Sequence, residues 1–375
     1  MKIKRFYSEL GKHLETGKVL VIFGPRQVGK TTLVQDFLNE TLLKFKLETG
    51  DNIKIQTLFA SQDLEKILAY ARPYELIVID EAQKIPNVGV ALKMIVDHRP
   101  DIQVIVTGSS SFDLAGQIGE PLTGRKKTLT LFPLSQLELK EKYGVYELEQ
   151  QLESYLIYGS YPEIITATTE DEKRIKIEEI AHSYLLKDIL VLERVKSSKI
   201  LLDLLRLIAF QIGKEVSLSE LGTQLGIDRK TVARYLDIFE KSFILFSVRG
   251  FSRNLRKEVS KSSRYYFYDL GVRNALIANF NAINLRNDIG ELWENFVFME
   301  RLKKRSYKNI FANVYFWRTW DKKEIDIVEE REGKLFGYEC KWSKLKAKAP
   351  KDWVESYPEA SFEVISKENY LDLLS

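Results

Sequence analysis

One cysteine, Cys340, and three histidines, His13, His98 and His182, are all that the 375 residues contain of these types. A single thiol excludes an internal disulfide framework. No Cys/His spacing of the zinc-ligand kind exists, so each histidine reads as a surface or packing residue. Long apolar runs are missing as well. The longest are strand-length, far short of the roughly 20 residues that span a bilayer. No charged–apolar–small leader stands at the N-terminus. These absences lead us to expect a cytoplasmic protein with no membrane contact. The formal net charge is only +4, so any nucleic-acid surface must be local. With 45% hydrophobic and 29% charged residues the composition is that of an ordinary globular chain. Its length suits about two or three domains, and it carries no internal repeat and no low-complexity tract.

The most specific feature is a Gly-rich segment between a strand-like run and a helix-like run. Val19-Leu20-Val21-Ile22-Phe23 reads as a buried strand. Gly24-Pro25-Arg26-Gln27-Val28-Gly29-Lys30-Thr31 follows, with Thr32 beyond it, and Leu33, Val34, Phe37 and Leu38 then recur at helical spacing. Strand, loop and helix occur in the order a phosphate-binding loop requires. Gly24 and Gly29 permit a tight turn and close approach to a ligand. The loop amides and the positive helix end make a concave anion site. Lys30 places a charge near the β- and γ-phosphates, and Thr31 offers a hydroxyl to Mg²⁺.

Leu76-Ile77-Val78-Ile79-Asp80-Glu81 is an apolar strand ending in two acids, at the sheet edge where ligands bind. Asp80 is expected to hold Mg²⁺ through water, and Glu81 to polarise the attacking water. A third strand, Val104–Thr107, runs into Gly108-Ser109-Ser110-Ser111. Thr107 or Ser109 is the candidate γ-phosphate sensor; a helix N-cap by one of the serines is the plain alternative. Gly124-Arg125 precedes another strand-like run, Thr128–Leu131. Arg125 could reach a neighbouring subunit's γ-phosphate, which would require a homo-oligomer; a solvated basic turn with Lys126 and Lys127 is the alternative.

Residues 1–140 thus alternate strand and helix, the pattern of a parallel sheet with helices on both faces. From about Tyr146 to Gly213 the reading is almost entirely helical: Leu152, Tyr155 and Leu156, then Leu185, Leu186, Ile189 and Leu190, then Leu201, Leu204, Leu205 and Ile208 keep helical spacing. Gly159-Ser160-Tyr161-Pro162 interrupts it once. Such a block could be a lid or a plain connector. Ser217–Leu225 then forms a short helix, Gly226-Ile227-Asp228 a turn, and Arg229–Lys241 a second helix capped by Asp228. Arg229, Lys230, Thr231 and Arg234 project from its exposed first turns, as in a helix-turn-helix facing a major groove. Two strand-like runs, Ile244–Val248 and Arg264–Tyr268, flank a basic wing with Arg249, Arg253, Arg256, Lys257 and Lys261. The wing could neutralise DNA phosphates. A protein-docking winged helix with a solvated loop is the competing reading.

Near the C-terminus Glu324–Val328 alternates polar and apolar residues, and Leu335–Lys341 reads as its return strand. Asp326, Glu339 and Lys341 share the parity of one sheet face. Glu294, on a helix over Gly290–Lys303, could join them. Two carboxylates and a lysine can hold Mg²⁺ and activate water against a phosphodiester. A charged hairpin with a cross-strand salt bridge is the plain alternative.

Taken together, the chain resembles a family of bacterial and archaeal ATPases of the AAA+ superfamily, nearly end to end. The likeness rests on GPRQVGKTT (Gly24–Thr32), VIDEAQ (Val78–Gln83), TGSSS (Thr107–Ser111), Gly124-Arg125, LFPLS (Leu131–Ser135) and GSYPE (Gly159–Glu163). The resemblance implies ATP rather than GTP as the nucleotide. It also implies a winged helix and a restriction-endonuclease-like domain after the ATPase. The family's D…ExK signature falls on Asp326, Glu339 and Lys341, and its helix acid on Glu294. Ile325 replaces the usual proline before the first Asp, and an intact signature need not be a working nuclease. The expected fold class is α/β. Residues 1–140 form a P-loop AAA+-like core, 141–213 a helical lid or connector, 214–285 a winged helix, and 286–375 an α/β PD-(D/E)xK nuclease-like domain. The expected function is a Mg²⁺-dependent ATPase coupled to a DNA-binding, nuclease-like arm. The alternatives are a nucleotide-controlled protein-interaction switch with an inert nuclease-like fold, and an ATP-gated Mg²⁺ nuclease.

Overall fold

A computed structural model describes residues 3–109, 121–184, 198–253, 262–343 and 347–374. The expectations for Ser110, Ser111, Arg256, Lys257 and Lys261, and for the helical positions Leu185, Leu186, Ile189 and Leu190, lie outside the described residues.

The first sheet contains β1 (Val19–Phe23), β2 (Phe45–Thr49), β3 (Leu76–Asp80), β4 (Gln103–Gly108) and β5 (Lys126–Thr130), in the order β2-β3-β4-β1-β5. Every pairing in it is parallel. Strands β1 and β3 are near-continuous apolar runs because both sheet faces are covered. The period of two sorts their side chains into two cores. Leu20, Ile22, Val78 and Ile105 pack with Leu33 and Val34 of α1 (Lys30–Glu40). Val19, Val21, Ile77, Ile79, Val104 and Val106 face the other way. There they meet α2 (Ile53–Ala60), α3 (Leu64–Ala71) and α4 (Val88–His98) through Phe59, Ile67, Leu92 and Ile95. Parallel pairing sets the C-terminal ends of β1, β3 and β4 side by side, so Gly24, Asp80 and Thr107 share one edge. The last strand begins at Lys126, ahead of the expected Thr128.

The middle of the chain is helical as the spacing predicts: α5 (Gln136–Lys140), α6 (Val145–Tyr158), α7 (Pro162–Thr166), α8 (Glu170–Tyr184) and α9 (Ser198–Phe210). Next come β6 (Glu215–Val216), α10 (Leu218–Leu225), α11 (Arg229–Lys241), β7 (Leu245–Gly250) and β8 (Ser263–Phe267). The remainder comprises α12 (Leu270–Leu276), α13 (Ile289–Lys308), β9 (Asn313–Arg318), β10 (Glu324–Arg331), β11 (Lys334–Cys340), α14 (Lys351–Ser356), β12 (Ser361–Ile365) and α15 (Tyr370–Leu374).

The strands from β6 onward form one sheet, in the order β12-β11-β10-β9-β7-β8-β6. Its joint is the parallel pairing of β7 with β9, Arg249 opposite Tyr315 and Gly250 opposite Phe316. A hairpin left alone is marginal in water, and its open edge would be a liability. Joining the β7–β8 hairpin to the C-terminal strands removes both problems. Strands before residue 285 and after residue 286 thus share one hydrogen-bonded sheet.

Candidate functional site

The Gly-rich loop is shaped by close contacts that a side chain would block. Gly24 has φ 149°, and a Cβ there would stand 2.0 Å from the Leu131 carbonyl oxygen. Gly29, at φ 92°, is the N-cap of α1 and supplies no side-chain cap. No N-cap side chain covers the first turn of α1, which suits an anion. Lys30 is only 5% exposed, and its Nζ donates to the carbonyls of Gly24 at 2.8 Å and Pro25 at 2.6 Å. Its ammonium is held over the loop. Val28 is buried beneath, while Gln27, Thr31 and Thr32 are exposed.

Across the sheet edge, Thr31 Oγ1 donates to Asp80 Oδ2 at 2.9 Å. Thr107 Oγ1 donates to the other oxygen, Asp80 Oδ1, and accepts the Glu81 amide at 3.1 Å. Buried Thr107 therefore positions both acids. Glu81 sits in the left-handed region at φ 52°, a strained conformation for a non-glycine residue. Gln83 Nε2 donates to Glu81 Oε2 and, at 3.1 Å, to Ser109 Oγ. A hydroxyl and a carboxylate oxygen side by side are a suitable donor set for Mg²⁺.

Beside the loop opens a cavity of about 620 Å³, lined by Arg5, Val28, Gly29, Thr32, Pro162 and Glu163 among others. It is bounded by the chain start, the phosphate loop and the GSYPE segment. Buried Arg5 donates to the carbonyls of Val28 and, at 2.6 Å, Phe132, and to Glu138 Oε1 at 2.8 Å. Ser160, in GSYPE, donates its amide to Asp269 Oδ2 at 2.7 Å, and its carbonyl accepts the Leu134 amide at 2.8 Å. A Cβ at Gly159 would stand 2.0 Å from Asp269 Oδ1. LFPLS and GSYPE thus tie the loop to the helical and C-terminal regions. Arg125 lies at the opposite edge: its carbonyl accepts the Val19 amide at the start of β1, and its side chain pairs with Asp97. Arg125 is thus far from Lys30 of its own chain.

In the second sheet's helical arm, Asp228 Oδ1 accepts the amides of Lys230 at 2.8 Å and Thr231 at 3.0 Å, capping α11. Arg229, Lys230 and Arg234 are exposed along this helix, whose buried face is Val232, Tyr235, Leu236 and Phe239. The Thr231 hydroxyl donates to Asp228 Oδ2 at 2.6 Å and so belongs to the cap. Arg253 pairs with Glu330 at 2.9 Å.

The C-terminal acids are also neighbours. Ile327 pairs with Tyr338, which puts Asp326 opposite Glu339, and a register irregularity between Ile325 and Val328 falls at this point. Asp326 Oδ2 accepts the Cys340 amide at 2.8 Å. Glu339 pairs with Lys341 at 2.6 Å. Glu294, on α13, accepts from Tyr266 Oη at 2.6 Å and from Arg264 Nη1 at 3.4 Å. Burial, then the charges of Glu294 and Glu339, push the Asp326 carboxyl well above its ordinary range. Burial also pushes Glu294 up, against the pull of Arg264. Among the described residues no group of three or more His, Cys, Asp or Glu side chains is arranged to hold a metal ion.

Three site residues escaped the sequence reading. Gln83 lay within a quoted motif, and only its distance to Glu81 shows its part. Arg5 precedes every regular element and follows no pattern. Arg264, on β8, is hidden in a stretch rich in basic residues.

Residues 16–140 match a family described as "AAA domain". Residues 149–283 and 289–369 match two families, each described as a domain of unknown function (DUF8612 and DUF4143). An uncharacterized protein of Mycobacterium tuberculosis is 25% identical over 338 residues, covering 89% of this chain and 72% of its own. Uncharacterized proteins of Haemophilus influenzae and Methanocaldococcus jannaschii are 26% and 24% identical, covering 88% and 83% of this chain and 84% and 73% of their own. A STAND protein with a tetratricopeptide repeat sensor from Pyrococcus horikoshii superposes with TM-score 0.29 and 14% identity, over 81% of this chain and 46% of that one. AMPPCP-bound DnaA from Aquifex aeolicus gives TM-score 0.27 and 16% identity, over 63% and 84%. The fold is α/β, with a parallel sheet flanked by helices of the P-loop NTPase kind and a C-terminal α/β region built on the second sheet. No helix among the described residues is long and apolar enough to cross a membrane.

Proposed function

We propose that the chain is a Mg²⁺-dependent ATPase whose nucleotide state is passed to a DNA-binding winged helix. The observation that carries the first half is the convergence of Lys30, Thr31, Asp80 and Thr107 at one sheet edge, beside the glycine-capped start of α1. In this reading the loop amides and Lys30 bind the phosphates, and the 620 Å³ cavity takes the nucleoside between the loop and Pro162. Thr31 and Asp80 would hold Mg²⁺, which neutralises charge on the transferring phosphoryl group. Glu81 orients water, and Gln83 sets the direction of the Glu81 carboxylate. Thr107 keeps Asp80 and Glu81 in register, a positioning role. Arg125 acts, if a homo-oligomer forms, only on a neighbour's nucleotide.

In this reading the nucleotide state is passed through the contacts of Arg5 and Glu138. Arg5 holds the loop carbonyl of Val28 and also Glu138, and Glu138 reaches Tyr307 of α13 at 3.4 Å. The exposed cations Arg229, Lys230 and Arg234 on a capped, amphipathic second helix support DNA phosphate contact. A protein-docking switch is the second reading. It draws support from Arg253 and Thr231, whose polar groups are already engaged within the chain.

Calorimetric titration of ATP with Mg²⁺ into wild type and Lys30→Ala tests the nucleotide assignment. Binding by wild type and its loss in the variant is expected; equal binding and turnover by both would remove the basis of the proposal.

A further inference from the structure

We propose that the Arg264 guanidinium stands where the resemblance to a nuclease would call for a divalent cation, so that the C-terminal acidic cluster is neutralised from within the chain and takes no metal. Four carboxylates gather between α13 and the second sheet: Glu294, Glu324, Asp326 and Glu339. Arg264 enters this group from β8, the return strand of the wing. Its side chain is 4% exposed. Nη2 pairs with Glu324 at 2.8 Å and Nη1 with Glu294 at 3.4 Å, while the guanidinium lies 4.4 Å from the centre of the Phe316 ring.

A guanidinium does not lose its proton in a protein, so this charge is permanent. Buried charge is stable only when paired, and one of the partners here, Glu294, is an acid the metal would need. One oxygen of each of Glu294, Asp326 and Glu339 is engaged too, while Glu339 Oε2 is buried with no hydrogen-bond partner among the described residues. Glu294 Oε1 already accepts the Tyr266 hydroxyl at 2.6 Å. Asp326 Oδ2 accepts the Cys340 amide at 2.8 Å, and Glu339 is paired with Lys341 at 2.6 Å. Mg²⁺ demands oxygens converging at about 2.0–2.1 Å in near-octahedral array. Among the described residues these carboxylates form no such group. The donor set therefore does not fit the metal while Arg264 is in place. The cluster instead fastens the wing strand to α13 and to β10.

The test is Mn²⁺ binding to the full chain without nucleotide, with free Mn²⁺ read by electron paramagnetic resonance. Wild type, Asp326→Asn, Arg264→Met and the double variant are compared. Wild type and Asp326→Asn should bind alike. Arg264→Met should gain on the order of one Mn²⁺ per chain, lost again in the double variant. Wild-type binding that Asp326→Asn removes would overturn the inference. A folded Arg264→Met without a new site would overturn it as well. Should Arg264→Met fail to fold, the comparison of wild type with Asp326→Asn decides alone. Nucleotide is absent and the readout is dependence on Asp326, so the result does not hinge on the ATPase reading.

Discussion

Thr31 Oγ1 donates a hydrogen bond of 2.9 Å to Asp80 Oδ2, joining residues 49 apart in the chain across the edge of the parallel sheet. The start of α1 and the end of β3 thereby share one polar contact, between the hydroxyl and the carboxylate that would hold Mg²⁺. Thr31→Val keeps the side-chain shape and removes the hydroxyl. We expect Mg²⁺-ATP turnover to fall by about two orders of magnitude, roughly 3 kcal/mol of barrier, while nucleotide binding in EDTA is unchanged. Steady-state rates across a Mg²⁺ titration check this, and an unaltered Mg²⁺ response would refute it.

Gln83 is the residue that holds the Glu81 carboxylate, with Ser109 at its other contact. Gln83→Ala should lower kcat by about tenfold, near 1.4 kcal/mol, and leave KM for ATP alone. A rise in KM at constant kcat would show instead that Gln83 serves binding.

DNA binding is tested by salt. Neutralising each phosphate contributes a slope of about −0.9 to log K against log salt. Replacing Arg229, Lys230 and Arg234 together by Ala should flatten the slope by about 2 to 3 units in a gel-shift series. No binding by wild type at low salt would favour the protein-docking alternative.

Glu329 is fully buried on β10 and pairs with Arg301, Arg305 and Arg331. Burial alone would raise its pKa; hydrogen bonds and charge from Arg301, then Arg305 and Arg331, outweigh burial and hold it at about 2. Its native value lies below the unfolded one, so its stabilisation is present at neutral pH. It fades as pH falls from about 4.5 towards about 2, an effect worth about 3 kcal/mol. Glu329→Gln should lose that part of the pH dependence in urea melts. It should also be less stable at pH 7 by about 3–5 kcal/mol, because three arginines lose their partner. An unchanged acid limb would contradict this account.

Much of the first sheet was legible because its signals are local. β1 and β3 announced themselves as near-continuous apolar runs, and Lys30 and Thr31 follow β1 at fixed spacing. Edge strand β2 gave no such signal: Phe45 and Leu47 stay 40% and 42% exposed, so no burial pattern marks it. The expectation that Asp326 and Glu339 share one sheet face needed only the alternation of a hairpin. What lay beside that pair did not follow from alternation, because Arg264 reaches Glu294 from 30 residues away through the register of a different strand.

The linear order of residues by itself determined the strand–loop–helix that can grip phosphate, the acids ending β3, and the capped basic helix α11. Each is set by backbone sterics and periodicity within about a dozen residues. The tertiary structure alone decided that β7 would pair with β9, that Arg5 would clasp the loop at Val28, and that Arg264 would meet Glu294. Those neighbours come from packing and register between distant segments, and no short-range pattern encodes which buried cation will face which buried acid.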